Sequence, residues 1–181
     1  MKIVLSIIIM VFSTFLYSQS VTIKGKVISP ADTTALGFST VHFDNDMVTN
    51  CDSSGKFSLT LDKSILKDTL KISFIGFRQL FIVNLPKNTD TIDLGEIPMF
   101  YGNKGVPMAD FFCRWIDFRC KRRAKLFWKN VEKENKEYVM KVNYEIDNYR
   151  YIYNDKKYRL KYNENYFNLT LTIDLLEPEK Y

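Results

Sequence analysis

Few residues in this 181-residue chain have the types and spacing to do chemistry. The single histidine, His42, sits between Val41 and Phe43 in an apolar–polar alternation. With no nucleophile motif beside it, it reads better as a hydrogen-bonded strand histidine than as a general base. Asp44-Asn45-Asp46 hints at a calcium loop, but Val48 and Thr49 interrupt the oxygen ligands and the central glycine is missing. There is no Gly-x-Ser-x-Gly, no His-Glu-x-x-His and no glycine loop to cradle phosphate. The chain is therefore expected to be a non-enzyme, with no catalytic residues, metal or cofactor.

The three cysteines, Cys51, Cys113 and Cys120, allow at most one internal bridge. If Cys113 and Cys120 share a helix, two turns separate them by about 10 Å. Disulfide Cα atoms usually lie less than about 7 Å apart, so that pair should then stay unbridged. Three partly buried thiols acting as small hydrophobes are expected.

The densest charge is the run Arg119-Cys120-Lys121-Arg122-Arg123-Ala124-Lys125, with Lys129 four residues on. Residues 19–101 carry a net charge of −1 and residues 102–181 a net +5. Cys113, Ile116, Cys120, Ala124, Phe127 and Val131 recur at steps of three and four, which predicts a long basic amphipathic helix from Pro107 to about Lys136. Arg119, Lys121, Arg122, Arg123, Lys125 and Lys129 form its candidate partner or anion surface. Such a face suits an acidic partner, an anionic membrane or lipopolysaccharide; equally, charges of this kind are often simply solvated.

Elements that could position this surface are legible on both sides of it. Lys2 precedes an uncharged run from Ile3 to Tyr17 that ends in Ser18-Gln19-Ser20, the parts of a secretory signal peptide. The run falls short of the roughly 20 residues a membrane-spanning helix needs. Residues 1–18 are expected to be removed, sending the chain to the periplasm or cell surface, in association with the outer membrane. Export argues against nucleic acid as a partner of the basic run.

Seven period-2 segments follow: Val21–Ile28, Thr40–Asp44, Met47–Cys51, Lys56–Leu61, Thr69–Phe74, Arg78–Leu85 and Thr91–Ile97. Short strands with frequent turn signals predict an antiparallel β-sandwich or barrel. Gly25, Asp52, Gly55 and Gly76 are the structural turn residues, with Asp52 opening and Gly55 closing a tight turn. Residues 101–107 read as a linker. From Tyr138 the period returns to two, predicting four strands in an antiparallel meander with a tyrosine-rich face.

Gly25-x-Val27, Asp52-x-x-Gly55-x-Phe57, Ile72-Ser73-Phe74-Ile75-Gly76-Phe77 and Leu94-Gly95-Glu96-Ile97 resemble, in this order, the carboxypeptidase regulatory-like domain. The resemblance covers residues 21–99. It implies a transthyretin-like, seven-stranded sandwich, a noncatalytic module found at the N-terminus of TonB-dependent outer-membrane receptors and in other exported proteins of Gram-negative bacteria. The family's receptors continue into a plug and a long barrel; the residues that follow here are too few for a barrel of many strands. The expected organisation is thus a signal peptide at 1–18, the sandwich at 19–100, a linker at 101–107, and a helix with antiparallel strands at 108–181. The leading functional expectation is an exported accessory module that binds another envelope protein. A carbohydrate- or peptide-binding module, related to outer-membrane nutrient uptake and using the tyrosine face, comes second. A hydrolase with an unrecognised site, dependent on His42, comes third.

Overall fold

A computed structural model describes residues 20–43, 47–63, 66, 69–102, 117–163 and 169–179. The candidate signal peptide, the Asp44-Asn45-Asp46 loop, Cys113 and most of the linker lie outside them. The described chain is mainly β, with two sheets and one helix.

Seven strands arise where the alternation predicts them: β1 (Ser20–Ile28), β2 (Thr40–Phe43), β3 (Met47–Asn50), β4 (Lys56–Asp62), β5 (Thr69–Ser73), β6 (Gln79–Val83) and β7 (Thr91–Pro98). In β4, Phe57 and Leu61 are buried and Leu59 half-buried, while Ser58 and Thr60 face solvent. Leu70 and Ile72 of β5 and Leu80 and Ile82 of β6 are buried in the same phase. A side chain of this size contributes roughly 1.5–3 kcal/mol when fully buried, so each strand's inward row fixes its register.

One sheet has the order β4-β1-β7, with β1 antiparallel to β4 but parallel to β7. The expectation of an all-antiparallel arrangement is corrected here. The β1–β7 register slips between Lys24 and Lys26, opposite Gly95 at φ +62°. That extra residue moves the inward phase of β7 from Ile92 and Leu94 to Ile97, as a bulge does.

The turn before β4 follows its sequence signal. The Asp52 carboxylate accepts from the Ser54 amide at 2.8 Å, the Ser54 hydroxyl at 2.7 Å and the Lys56 amide at 2.9 Å. The Gly55 amide donates to the Asp52 carbonyl at 3.0 Å, with Gly55 at φ +75°. A Cβ on Gly55 would sit 2.6 Å from the Val27 carbonyl oxygen. Gly76, at φ +84°, serves the turn between β5 and β6, where Phe77 N–H donates to Phe74 O at 3.1 Å. Gly25 is not a turn residue. It lies within β1 opposite Phe57, where a Cβ would meet Ile97 Cδ1 at 2.9 Å and Phe57 Cε1 at 3.1 Å.

The second half departs most from expectation. Helix α1 spans Phe118–Asn148, so the stretch from Tyr138 to Ile146 is helical rather than extended. Tyr138, Val142 and Ile146 are spaced four apart, a step that belongs equally to a strand face and a helix stripe. Only Val142 and Ile146 are fully buried, while Met140 and Tyr144, which a strand would have buried beside them, are exposed. Lys133–Glu137 at 3.8 Å and Lys141–Glu145 at 4.0 Å add helix-spaced ion pairs.

Three strands follow instead of four: β8 (Arg150–Tyr153), β9 (Lys156–Tyr162) and β10 (Thr170–Asp174). They form an antiparallel meander, and β10 lies parallel to β6, giving a sheet of order β3-β2-β5-β6-β10-β9-β8. The C-terminal strands therefore complete a sheet begun before residue 84. Asn84 Nδ2 donates to Asp174 Oδ1 at 2.6 Å across this seam. A single buried cluster draws on both sheets and α1, including Ile23, Leu94, Leu80, Leu171, Tyr151 and Ile146.

Candidate functional site

The candidate surface is set by the start of α1. Asp117 caps it, its carboxylate accepting from the Cys120 amide at 2.9 Å. The first turn of the helix contains no acid. Arg119, Lys121, Arg122, Arg123, Lys125 and Lys129 follow, all exposed. Arg119/Arg123, Lys121/Lys125 and Lys125/Lys129 are each four residues apart, close enough to repel.

Cations near a helix N-terminus also oppose the helix dipole, at about 0.3–1 kcal/mol each at low ionic strength. Arg119, Arg122, Arg123, Lys125 and Lys129 make no ion pair or hydrogen bond through their side chains with any described residue. Local stability thus disfavours this charge pattern.

The opposite side of these turns is half-buried at Cys120, Ala124, Phe127 and Val131. From Phe118 to Tyr138, about 30 Å of helix, no residue is fully buried. Phe118 is 77% exposed, with Leu126 and Trp128 also open to solvent and Phe127 packed edge-on to Trp128 at 5.4 Å. Large apolar groups among exposed cations are a composition suited to recognition. Among the described residues no helix is long and apolar enough to cross a membrane.

Cys120 is disulfide-bonded, not the free thiol expected. The argument against a bridge rested on a helix shared with Cys113, a residue outside those described. Cys51 is free and buried, and burial pushes its thiol pKa up to about 11.

The tyrosine-rich face is largely core. Tyr151, Tyr153 and Tyr158 are buried, and the Tyr151 hydroxyl donates to Leu94 O of β7 at 2.5 Å. Burial raises its phenol pKa. These three rings are closed to sugar stacking. His42 is half-buried in β2, opposite Val48 of β3 and Lys71 of β5. Among the described residues no three histidine, cysteine or acidic side chains converge as a metal site.

Sequence reasoning passed over Arg78, one residue before β6. It is 2% exposed, and its Nη2 donates to Asn143 Oδ1 at 2.8 Å. The only signal available was a charged residue at the head of an apolar strand. Comparison with known proteins finds no matching family model, and no curated protein matches the sequence.

Proposed function

We propose that this chain is a noncatalytic, exported binding module of the bacterial envelope, whose basic amphipathic helix engages an acidic face of another envelope protein. In this reading the strands of residues 20–98 form a transthyretin-like sandwich of the carboxypeptidase regulatory-like kind. That scaffold displays the helix. The carrying observation is that Arg119, Arg122, Arg123, Lys125 and Lys129, exposed at the start of α1 among Phe118, Leu126 and Trp128, make no ion pair with any described residue. An arrangement that costs the free protein stability is relieved when acidic groups arrive from outside.

Site-specific photo-cross-linking from position 126 in an envelope fraction tests the reading. A discrete cross-linked species should form, and should disappear in R122E/R123E/K125E and at high salt. An unchanged cross-link in the charge-reversed variant, or no discrete species at all, refutes it.

A further inference from the structure

Helix α1 changes sign along its length. Residues 118–131 hold six basic and no acidic side chains, whereas residues 132–148 hold three basic and five acidic ones. One face of the helix is also bare. Leu126, Met140 and Tyr144 are 54%, 63% and 71% exposed, on the side turned away from buried Val142 and Ile146. Even where α1 is anchored in the core, this face is uncovered.

Along that face the residues are ordered about a midpoint. Steps of four, seven and eleven residues from Lys133, taken in both directions, reach Lys129 and Glu137, Leu126 and Met140, and Arg122 and Tyr144. Such steps keep residues on one side of a helix. All six side chains, and that of Lys133, are exposed. The members of each pair complement one another: a cation with a carboxylate, two apolar chains, a guanidinium with a phenol ring. Lying eight or more residues apart, they cannot meet within one helix. They meet when the helix is laid against an inverted copy of itself.

We infer that two copies of this chain associate through α1, antiparallel, about a two-fold axis at Lys133. The interface is isologous, so each of the three contacts occurs twice, over about 33 Å of helix from Arg122 to Tyr144. A parallel pairing would instead set each cluster of six cations against its own copy. The two Lys133 ammoniums meet at the axis, bracketed by Glu137 carboxylates, each 3.8 Å from the Lys133 of its own helix. Because α1 is anchored near its C-terminal end and on its far side, inversion places the two sets of sheets at opposite ends. The carboxylates come from the chain itself, so the pairing does not rest on the envelope partner proposed above. Arg123 and Lys125 fall outside the paired row.

The test is sedimentation of the purified full chain, with cysteine cross-linking under mild oxidation. Wild type should sediment as a dimer that weakens as salt rises. K133C should cross-link to a second copy of itself, because its two positions adjoin the axis. L126C and M140C should each fail alone, with like positions roughly 21 Å apart along the helix, and should cross-link when mixed. K129E should loosen the dimer roughly tenfold, and adding E137K to it should restore the affinity. A monomeric wild type, cross-linking of L126C to itself, or no recovery in K129E/E137K overturns the assignment. None of these results bears on the envelope partner, which purified chain lacks and which would give a cross-linked species of other than twice the chain's mass.

Discussion

The strands of residues 20–98 and the helix of residues 118–148 bury their side chains by different means. In most of the strands alternate residues enter the core, and partners across the sheet repeat the pattern, as with Leu70 opposite Ile82 and Ile72 opposite Leu80. In the helix, only Val142 and Ile146 near the C-terminal end are fully buried, and the first five turns hold their apolar side chains at the margin. Strand order is held by packing, whereas the start of the helix is held by its cap and a disulfide. Stability resides in the first region, and exposed cations and aromatic groups in the second.

Substitutions can break or sharpen that contrast. The largest effect should come from Ile82→Ala in β6, which is flanked by β5 and β10. Removing this fully buried side chain should cost about 3 kcal/mol in urea unfolding. Gly55→Val should cost about 2 kcal/mol, because it combines a positive φ with a Cβ against the Val27 carbonyl. An unchanged midpoint would remove that corner from the account.

Tyr151→Phe should cost about 1.5 kcal/mol by leaving Leu94 O unpaired, a direct measure of how firmly β8 is tied to β7. At the other end of the scale, Arg119→Glu should raise stability by roughly 0.5 kcal/mol, since it places an acid in the first helical turn. A loss there would contradict the electrostatic description of α1.

Acid should act selectively on the hairpin. Hydrogen bonds from Ser54, then Lys56, hold the Asp52 carboxyl below its usual value of 3.8. A depressed folded pKa means stability that is complete above the unfolded value and disappears as pH falls through the folded one. The advantage of wild type over Asp52→Ala should therefore be largest above about pH 4 and shrink below it. Equal denaturation curves for the two at neutral pH would contradict this. Cys51 should resist thiol reagents at pH 8 until the protein unfolds, because burial keeps it protonated.

The strands were legible because their signals are local. Asp52 and Gly55 specify a turn within four residues, and Phe57, Leu59 and Leu61 specify a face within five. The end of the helix was misplaced because the Tyr138–Val142–Ile146 spacing fits both periods, and the choice was made by the core that Val142 and Ile146 reach. The seat of β10 beside β6 had no local mark at all. Leu171 and Ile173 could face any apolar surface, and only the completed sheet selects Leu80 and Ile82 as neighbours. Gly25 was singled out correctly as special but for the wrong cause: space beside Phe57 and Ile97, not a bend. Arg78 could not be recognised because its burial depends on Asn143 and Tyr162, more than sixty residues away.

The parallel seam between β6 and β10 also sets a timetable. The ribosome finishes Val83 some 90 residues before Asp174, its register partner, a wait of roughly 5–20 s at ordinary elongation rates. Until then one long edge of β6 stays open, its amides and carbonyls free to pair with any passing strand. Synthesis must therefore pass Asp174 before that edge can close, and a product halted near residue 101 would be born with an adhesive margin.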